Sequence, residues 1–195
     1  MNFPTTLLLS LLTLAACTLV SVGEEAAPAK GFDKKLSLQG ITFQITCPNE
    51  GSVNQLKLEV KGLAKATDPI KVEVDGSVTD AEVADLNADG SPEIYVFTRS
   101  AGSGSYGNVI AYAANNKKSL SRISLPDLSD DAKASKGYMG HDEFAVVENV
   151  LARRFPLYQQ GDSNAKPSGG TRQIQYKLHA GEAGWILRLD KFADY

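Results

Sequence analysis

Asp85, Asn87, Asp89 and Glu93 stand in the stretch DLNADGSPE with the opening spacing of an EF-hand calcium loop. Oxygen ligands at that spacing can surround a hard cation. The twelfth place of such a loop, which must supply a bidentate Glu, is Val96, and residues 94–97 read as a strand rather than a second helix. Glu93, at the ninth place, could still close a calcium turn of the kind found in β-repeat proteins. A β-turn built on Asx side-chain bonds and Gly90 uses the same residues and is the preferred reading. No cofactor is therefore expected, with calcium at Asp85, Asn87, Asp89 and Glu93 as the alternative.

Two other segments carry groups capable of chemistry. The first, RSAGSGSYGNV at residues 99–109, surrounds Tyr106 with Ser103, Gly104 and Ser105. A Gly-rich loop that cradles phosphate normally feeds a helix N-terminus, and here a strand follows. Nor does either serine fit the G-x-S-x-G elbow, because Ala101 and Ser103 occupy the first-glycine position. On the residues alone a flexible hairpin loop is the favoured reading. The second segment, GYMGHDEF at residues 137–144, sets Tyr138, Met139, Gly140, His141 and Asp142 in one loop. His141 beside Asp142 could serve Ser103 or Ser105 in a surface hydrolase, but a local structural pair in which Asp142 orients His141 is commoner. The other histidine, His179, stands far off in sequence in an expected turn, so no zinc site is expected.

The elements that must position these groups are strands. From Leu36 onward apolar residues alternate with polar ones: Leu36/Leu38, Ile41/Phe43/Ile45, Leu56/Leu58/Val60, Ile70/Val72/Val74, Ile174/Tyr176/Leu178 and Trp185/Leu187/Leu189. Further apolar runs occupy residues 94–97, 109–112, 120–125, 144–147 and 150–157. Turn signals separate them at Asp75-Gly76, Asp89-Gly90, and in residues 49–51, 167–170 and 181–184. This punctuation predicts an all-β fold, an antiparallel β-sandwich of about eight to ten strands. Residues 144–154 could form a short helix; a hairpin turning at Glu148-Asn149 is preferred.

Composition bounds the rest. The 195 residues with 43% hydrophobic content suit one domain with a tail, and a net charge of −3 gives no basic excess for nucleic acid. Residues 7–22 are almost wholly apolar or small, as in an export signal. Within them Leu14-Ala15-Ala16-Cys17 resembles a lipoprotein lipobox, although no Lys or Arg precedes it. Lipidation at Cys17 is favoured over ordinary cleavage near Val22-Gly23, and Thr18 after it points to the outer membrane. The expected layout is a signal peptide at 1–17, a flexible linker at 18–35 and a β-sandwich domain at 36–195. The linker would span ~20–25 Å. Cys47 is then alone and is expected to act as a small buried apolar residue.

Together, residues 85–90, 102–106 and 137–142, the run Arg153-Arg154-Phe155-Pro156 and the closing GEAGW of residues 181–185 resemble the bacterial periplasmic inhibitors of invertebrate-type (I-type) lysozyme. The resemblance covers roughly residues 36–192. It implies an antiparallel β-sandwich and a non-enzyme that blocks the lysozyme cleft. By resemblance Ser103 donates a hydroxyl and Tyr106 plugs the groove, with residues 138–142 as a second insertion. Lys117, Lys118 and Arg122 are basic candidates for a lysozyme carboxylate. A homodimer is implied by the family alone. Family members are described as soluble in the periplasm, so the Cys17 lipobox is a departure. The other function classes are a calcium-dependent carbohydrate-binding or adhesion module and the Ser/His hydrolase.

Overall fold

A computed structural model describes residues 31–195. The signal segment, Cys17 and most of the expected linker lie outside the described residues. Four strands, β1 (Phe32–Leu38), β2 (Ile41–Cys47), β3 (Val53–Lys61) and β4 (Ile70–Asp75), form one antiparallel sheet in chain order. Eight more form a second sheet: β5 (Ser77–Ala84), β6 (Glu93–Arg99), β7 (Gly107–Asn115), β8 (Ser119–Ser124), β9 (Glu143–Val147), β10 (Val150–Pro156), β11 (Thr171–Ala180) and β12 (Trp185–Asp194). Its order is β5-β6-β7-β8-β12-β11-β10-β9. All neighbours are antiparallel except β8 and β12, which meet in parallel over two residue pairs. The larger sheet curls until its edge strands are linked side chain to backbone: the Val146 N–H on β9 donates to the Glu82 carboxylate on β5 at 2.7 Å.

The curl creates two cores. Ile41, Phe43, Ile45 and Cys47 project from one face of β2 and pack between the sheets against Val78, Ala81, Ile94 and Val96. Inside the curled sheet lie Tyr95, Phe97, Leu151, Phe155, Ile174 and Leu187. Strand β6 therefore buries both faces, with Ile94 and Val96 toward the small sheet and Tyr95 and Phe97 toward the interior. This is why its sequence is a continuous apolar run rather than an alternation. Cys47 is buried as a small apolar group, as expected.

The all-β expectation holds, with twelve strands rather than eight to ten. Strand β5 escaped the alternation test because a bulge between Val78 and Asp80 shifts its register, so inward-facing Val78 and Ala81 stand three apart. Strand β1 begins at Phe32, inside the expected linker, and pairs with β2 along its whole length. Asp33 and Lys35 face outward, while Lys34, on the same face as Phe32 and Leu36, donates to Asp80 (2.6 Å) and to the Ala81 carbonyl (2.9 Å) at the β5 bulge. Residues 144–154 form the β9–β10 hairpin, turning at Glu148-Asn149. His179 lies near the end of β11 rather than in a turn.

Candidate functional site

The β6–β7 hairpin carries the serine- and glycine-rich loop. Arg99 pairs with Gly107 at its base. The Ser100 N–H donates to the Tyr106 carbonyl, and the Tyr106 N–H donates back to Ser100 Oγ, both at 2.9 Å. A further turn closes from the Ser105 N–H to the Gly102 carbonyl at 2.9 Å. Glycine at 104 lets the ring lie against the backbone: a Cβ there would lie 2.3 Å from Tyr106 Cε2 and displace it. The Tyr106 side chain thus rests across the loop backbone and remains 49% exposed, with Ser103 exposed nearby.

Residues 137–142 meet this loop backbone to backbone. The His141 N–H donates to the Gly104 carbonyl at 2.8 Å. Gly140 has φ +95, and a Cβ on it would fall 2.0 Å from that same carbonyl oxygen. Only glycine permits both the left-handed backbone and the close approach. Met139 is exposed at the tip, and Tyr138 stands edge-on to Tyr106 with ring centroids 5.8 Å apart. Aromatic pairs in this geometry contribute about 0.5–1.5 kcal/mol beyond their buried area, enough to bias the Tyr106 ring toward one orientation.

Beneath the two loops lies a buried charge pair. Asp142 is 4% exposed and accepts from Arg153 Nε (2.7 Å), the Tyr138 hydroxyl (2.7 Å) and the Gly107 N–H (2.8 Å). Arg153 also donates from Nη2 to the Tyr138 oxygen at 2.8 Å. Its guanidinium lies 4.9 Å from the Tyr138 ring centroid, a cation–π distance. Burial works against the Arg153 charge, but the Asp142 carboxylate and its hydrogen bond more than offset this and hold the guanidinium protonated. Burial, followed by the Asp142 hydrogen bond, pushes the Tyr138 phenol well above its ordinary range. Asp142 was expected at the binding surface; its carboxylate instead faces inward and ties the second loop to the base of the first.

The same orientation removes the catalytic pairing. Asp142 does not orient His141, whose Nε2 lies 3.2 Å from Asn164 Oδ1. A Ser-His-Asp arrangement with Ser103 or Ser105 therefore lacks its orienting carboxylate. Neither Asn164 nor Tyr158, which stacks beside the His141 ring at 6.5 Å, is visible as a site residue in the sequence. Both belong to the β10–β11 connection, whose Ser, Gly, Asn and Pro content reads as a plain loop. Arg153 is visible only through the Arg-Arg-Phe-Pro run, which gives it no role.

The basic candidates separate. Lys117 and Lys118 sit in the β7–β8 turn, where their carbonyls accept from Ala64 and Lys65. That turn is at the opposite end of β7 from Tyr106, on the order of 25 Å away at strand rise. Arg122 lines a groove of about 650 Å³ that Tyr106, Ser100 and Arg153 also border.

The Asp85 loop lies at the far end of β6, also remote from Tyr106. Asp85 accepts from the Asp89 and Gly90 N–H groups at 3.0 and 2.9 Å and from Gln39 Nε2 at 2.7 Å. Asp89 accepts from the Ser91 N–H (2.8 Å) and from Asn87 Nδ2 (2.9 Å). Glu93 is 1% exposed and accepts from the Leu86 N–H at 2.8 Å. Carboxylate oxygens of Asp85, Asp89 and Glu93 lie within 4.8 Å of one another, close enough to share a cation. Burial pushes the Glu93 carboxyl up to about 8; the Leu86 N–H opposes this, and the Asp85 and Asp89 charges add to it. Aspartates whose oxygens already accept from the turn amides of residues 89–91 are the arrangement of an Asx turn.

Comparison with known families gives one match. The model of a family described as periplasmic lysozyme inhibitor of I-type lysozyme matches residues 61–138. The matched stretch begins at the end of β3, contains the whole Tyr106 loop and reaches Tyr138 in the second. It agrees with the resemblance carried by the sequence motifs, and it supports inhibition of I-type lysozyme over the adhesion and hydrolase readings. No curated protein matches the chain.

Proposed function

We propose that this protein is a periplasmic inhibitor of I-type lysozyme and that it acts by inserting the 102–106 and 138–141 loops into the enzyme's cleft. The observation that carries the reading is Tyr106, held across Gly104 and edge-on to Tyr138 yet half exposed. An exposed aromatic braced on two sides has little rotamer freedom left to lose on binding.

A lysozyme cleft presents two carboxyl groups, one protonated and one ionised, in a groove lined for sugar hydroxyls. Ser103 offers a hydroxyl donor to such a carboxylate, and Tyr106 offers flat apolar bulk with a polar tip. Met139 and His141 add a soft contact and a further polar group beside it. Gly104, Ser105 and Gly140 shape the approach, while Tyr138 and Asp142 brace it from below. The Arg122 groove next to Tyr106 would receive the rim of the cleft. The protein catalyses nothing in this reading. Lipidation of Cys17 would hold it at the outer membrane, next to the peptidoglycan it protects.

The test is a titration of the purified protein against I-type, chicken-type and goose-type lysozymes, following lysis of bacterial cell walls. Stoichiometric inhibition of the I-type enzyme is expected. Its absence at micromolar protein would overturn the reading.

A further inference from the structure

A third loop reaches the site that the sequence motifs left to two. We propose that Asn164, on the β10–β11 connection, is a positioning residue of the inhibitory surface: it fixes the Ser103 backbone and the His141 ring in one arrangement before the partner arrives. The proposal rests on the inhibitor reading for its consequence and on geometry alone for the clamp itself.

Asn164 uses both ends of its amide. Nδ2 donates to the Ser103 carbonyl at 2.6 Å, and Oδ1 lies 3.2 Å from His141 Nε2. A carbonyl only accepts, so the amide must turn its N–H₂ to Ser103 and its oxygen to His141. His141 must then donate from Nε2, which settles its tautomer when the ring is neutral. One side chain thus orients the backbone of the first loop and the ring of the second.

Asn164 is itself held from three directions. Its carbonyl accepts from the Tyr158 hydroxyl at 2.8 Å, and Tyr158 is buried two residues beyond the end of β10. The Lys166 N–H donates to the Ser163 carbonyl at 2.9 Å, closing a tight turn with Asn164 at its tip. Asp162 gathers the rest of the loop, accepting from the Gln159 N–H (2.7 Å), the Ser168 N–H (2.8 Å) and the Ser168 hydroxyl (2.9 Å). A residue so fixed transmits its order to the two loops it touches. Pre-ordering a binding loop raises affinity by reducing the entropy lost on association.

The experiment compares the parent with Asn164→Asp and Asn164→Ala by inhibition of an I-type lysozyme, by melting temperature and by ¹⁵N NMR of the His141 ring. Asn164→Asp keeps an acceptor for His141 but loses the donor to Ser103 and sets a carboxylate against its carbonyl. It should weaken inhibition about tenfold, the equivalent of one hydrogen bond and the order it holds, with the melting temperature near the parent's. In the parent the neutral His141 ring should show a single Nε2–H tautomer, and in Asn164→Ala a mixture of two. If both variants inhibit like the parent while Tyr106→Ala does not, the positioning role is wrong and the site stands. If the parent inhibits no lysozyme, the function reading falls and the ring spectra decide the clamp: one tautomer in the parent and two in Asn164→Ala uphold it, identical spectra overturn it.

Discussion

Asp142 directs both carboxylate oxygens inward, whereas Tyr106 leaves half its surface to solvent, and the two residues should fail in opposite ways when changed. Removing one partner of a buried ion pair costs about 3–5 kcal/mol, because the other charge is left desolvated and unpaired. Asp142→Ala is therefore expected to lower the melting temperature strongly and to lose inhibition with the fold of the loops. Asp142→Ala combined with Arg153→Met should recover part of that stability, which thermal unfolding of the parent, the single and the double variant would measure. A double variant no more stable than the single one would contradict the pair's role. Truncating Tyr106 should leave stability alone. These roles were unevenly legible. The loop around Tyr106 was visible in the sequence as a break in the strand alternation, but on the residues alone a flexible hairpin loop is the favoured reading. The family resemblance supplies its role. The inward face of Asp142 was not visible, because its partner Arg153 sits on β10, and nothing local to either residue announces the pairing.

At the scale of elements, the strands were legible wherever one face met a core and the other solvent, as in β2 with Ile41, Phe43, Ile45 and Cys47 buried in turn. They were not where a bulge broke the period, as in β5, or where charges on an edge strand disguised it, as in β1. The loop between β5 and β6 yields a prediction of its own. Glu93 is held protonated by burial, with its carboxyl pushed up to about 8 from an ordinary 4.5. The folded state then binds a proton that the unfolded state has released, so this contribution to stability is fully present below about 4.5 and is lost as pH rises through about 8. The melting temperature should fall across that window, and Glu93→Gln, which cannot ionise, should flatten the fall and be the more stable protein at pH 8. EDTA should change neither melting nor inhibition, since the turn reading needs no metal. A rise in melting temperature on adding calcium at pH 8 would contradict it, because an ion that binds only the native loop must stabilise it.

For the whole molecule, the placement of the site explains why a small sheet and a near-barrel are combined. The four-stranded sheet buries the outer face of β6, which frees the β6–β7 loop at one end of a strand held on both sides. A loop mounted on such a strand can be short, glycine-rich and still ordered. The family match spans the part of the chain that builds this mount and the start of the second loop, and the rest of that loop and the third come from beyond it. Membrane anchoring is a separate matter, carried by Leu14-Ala15-Ala16-Cys17 alone. If Cys17 is lipidated, the protein should partition with membranes on fractionation and Cys17→Ser should release it to the soluble periplasm. A parent protein found only in the soluble fraction would rule the anchor out and leave the inhibitory domain unaffected.

The central claim is that the exposed face of the 102–106 loop is what a lysozyme meets, and inhibition constants for the parent, Tyr106→Ala, Ser103→Ala and Glu182→Ala against one I-type lysozyme test it most directly. Truncating a buried interface anchor commonly costs 2 kcal/mol or more, about 30-fold in affinity. Tyr106→Ala should lose at least that much, and Ser103→Ala less, because it gives up a hydrogen bond without the buried area. His141→Ala should fall between the parent and Tyr106→Ala. Glu182→Ala, in a turn of similar composition with no assigned role, should match the parent, and all five melting temperatures should stay close together. If folded Tyr106→Ala and Ser103→Ala inhibit as well as the parent does, the loop is not the inhibitory element.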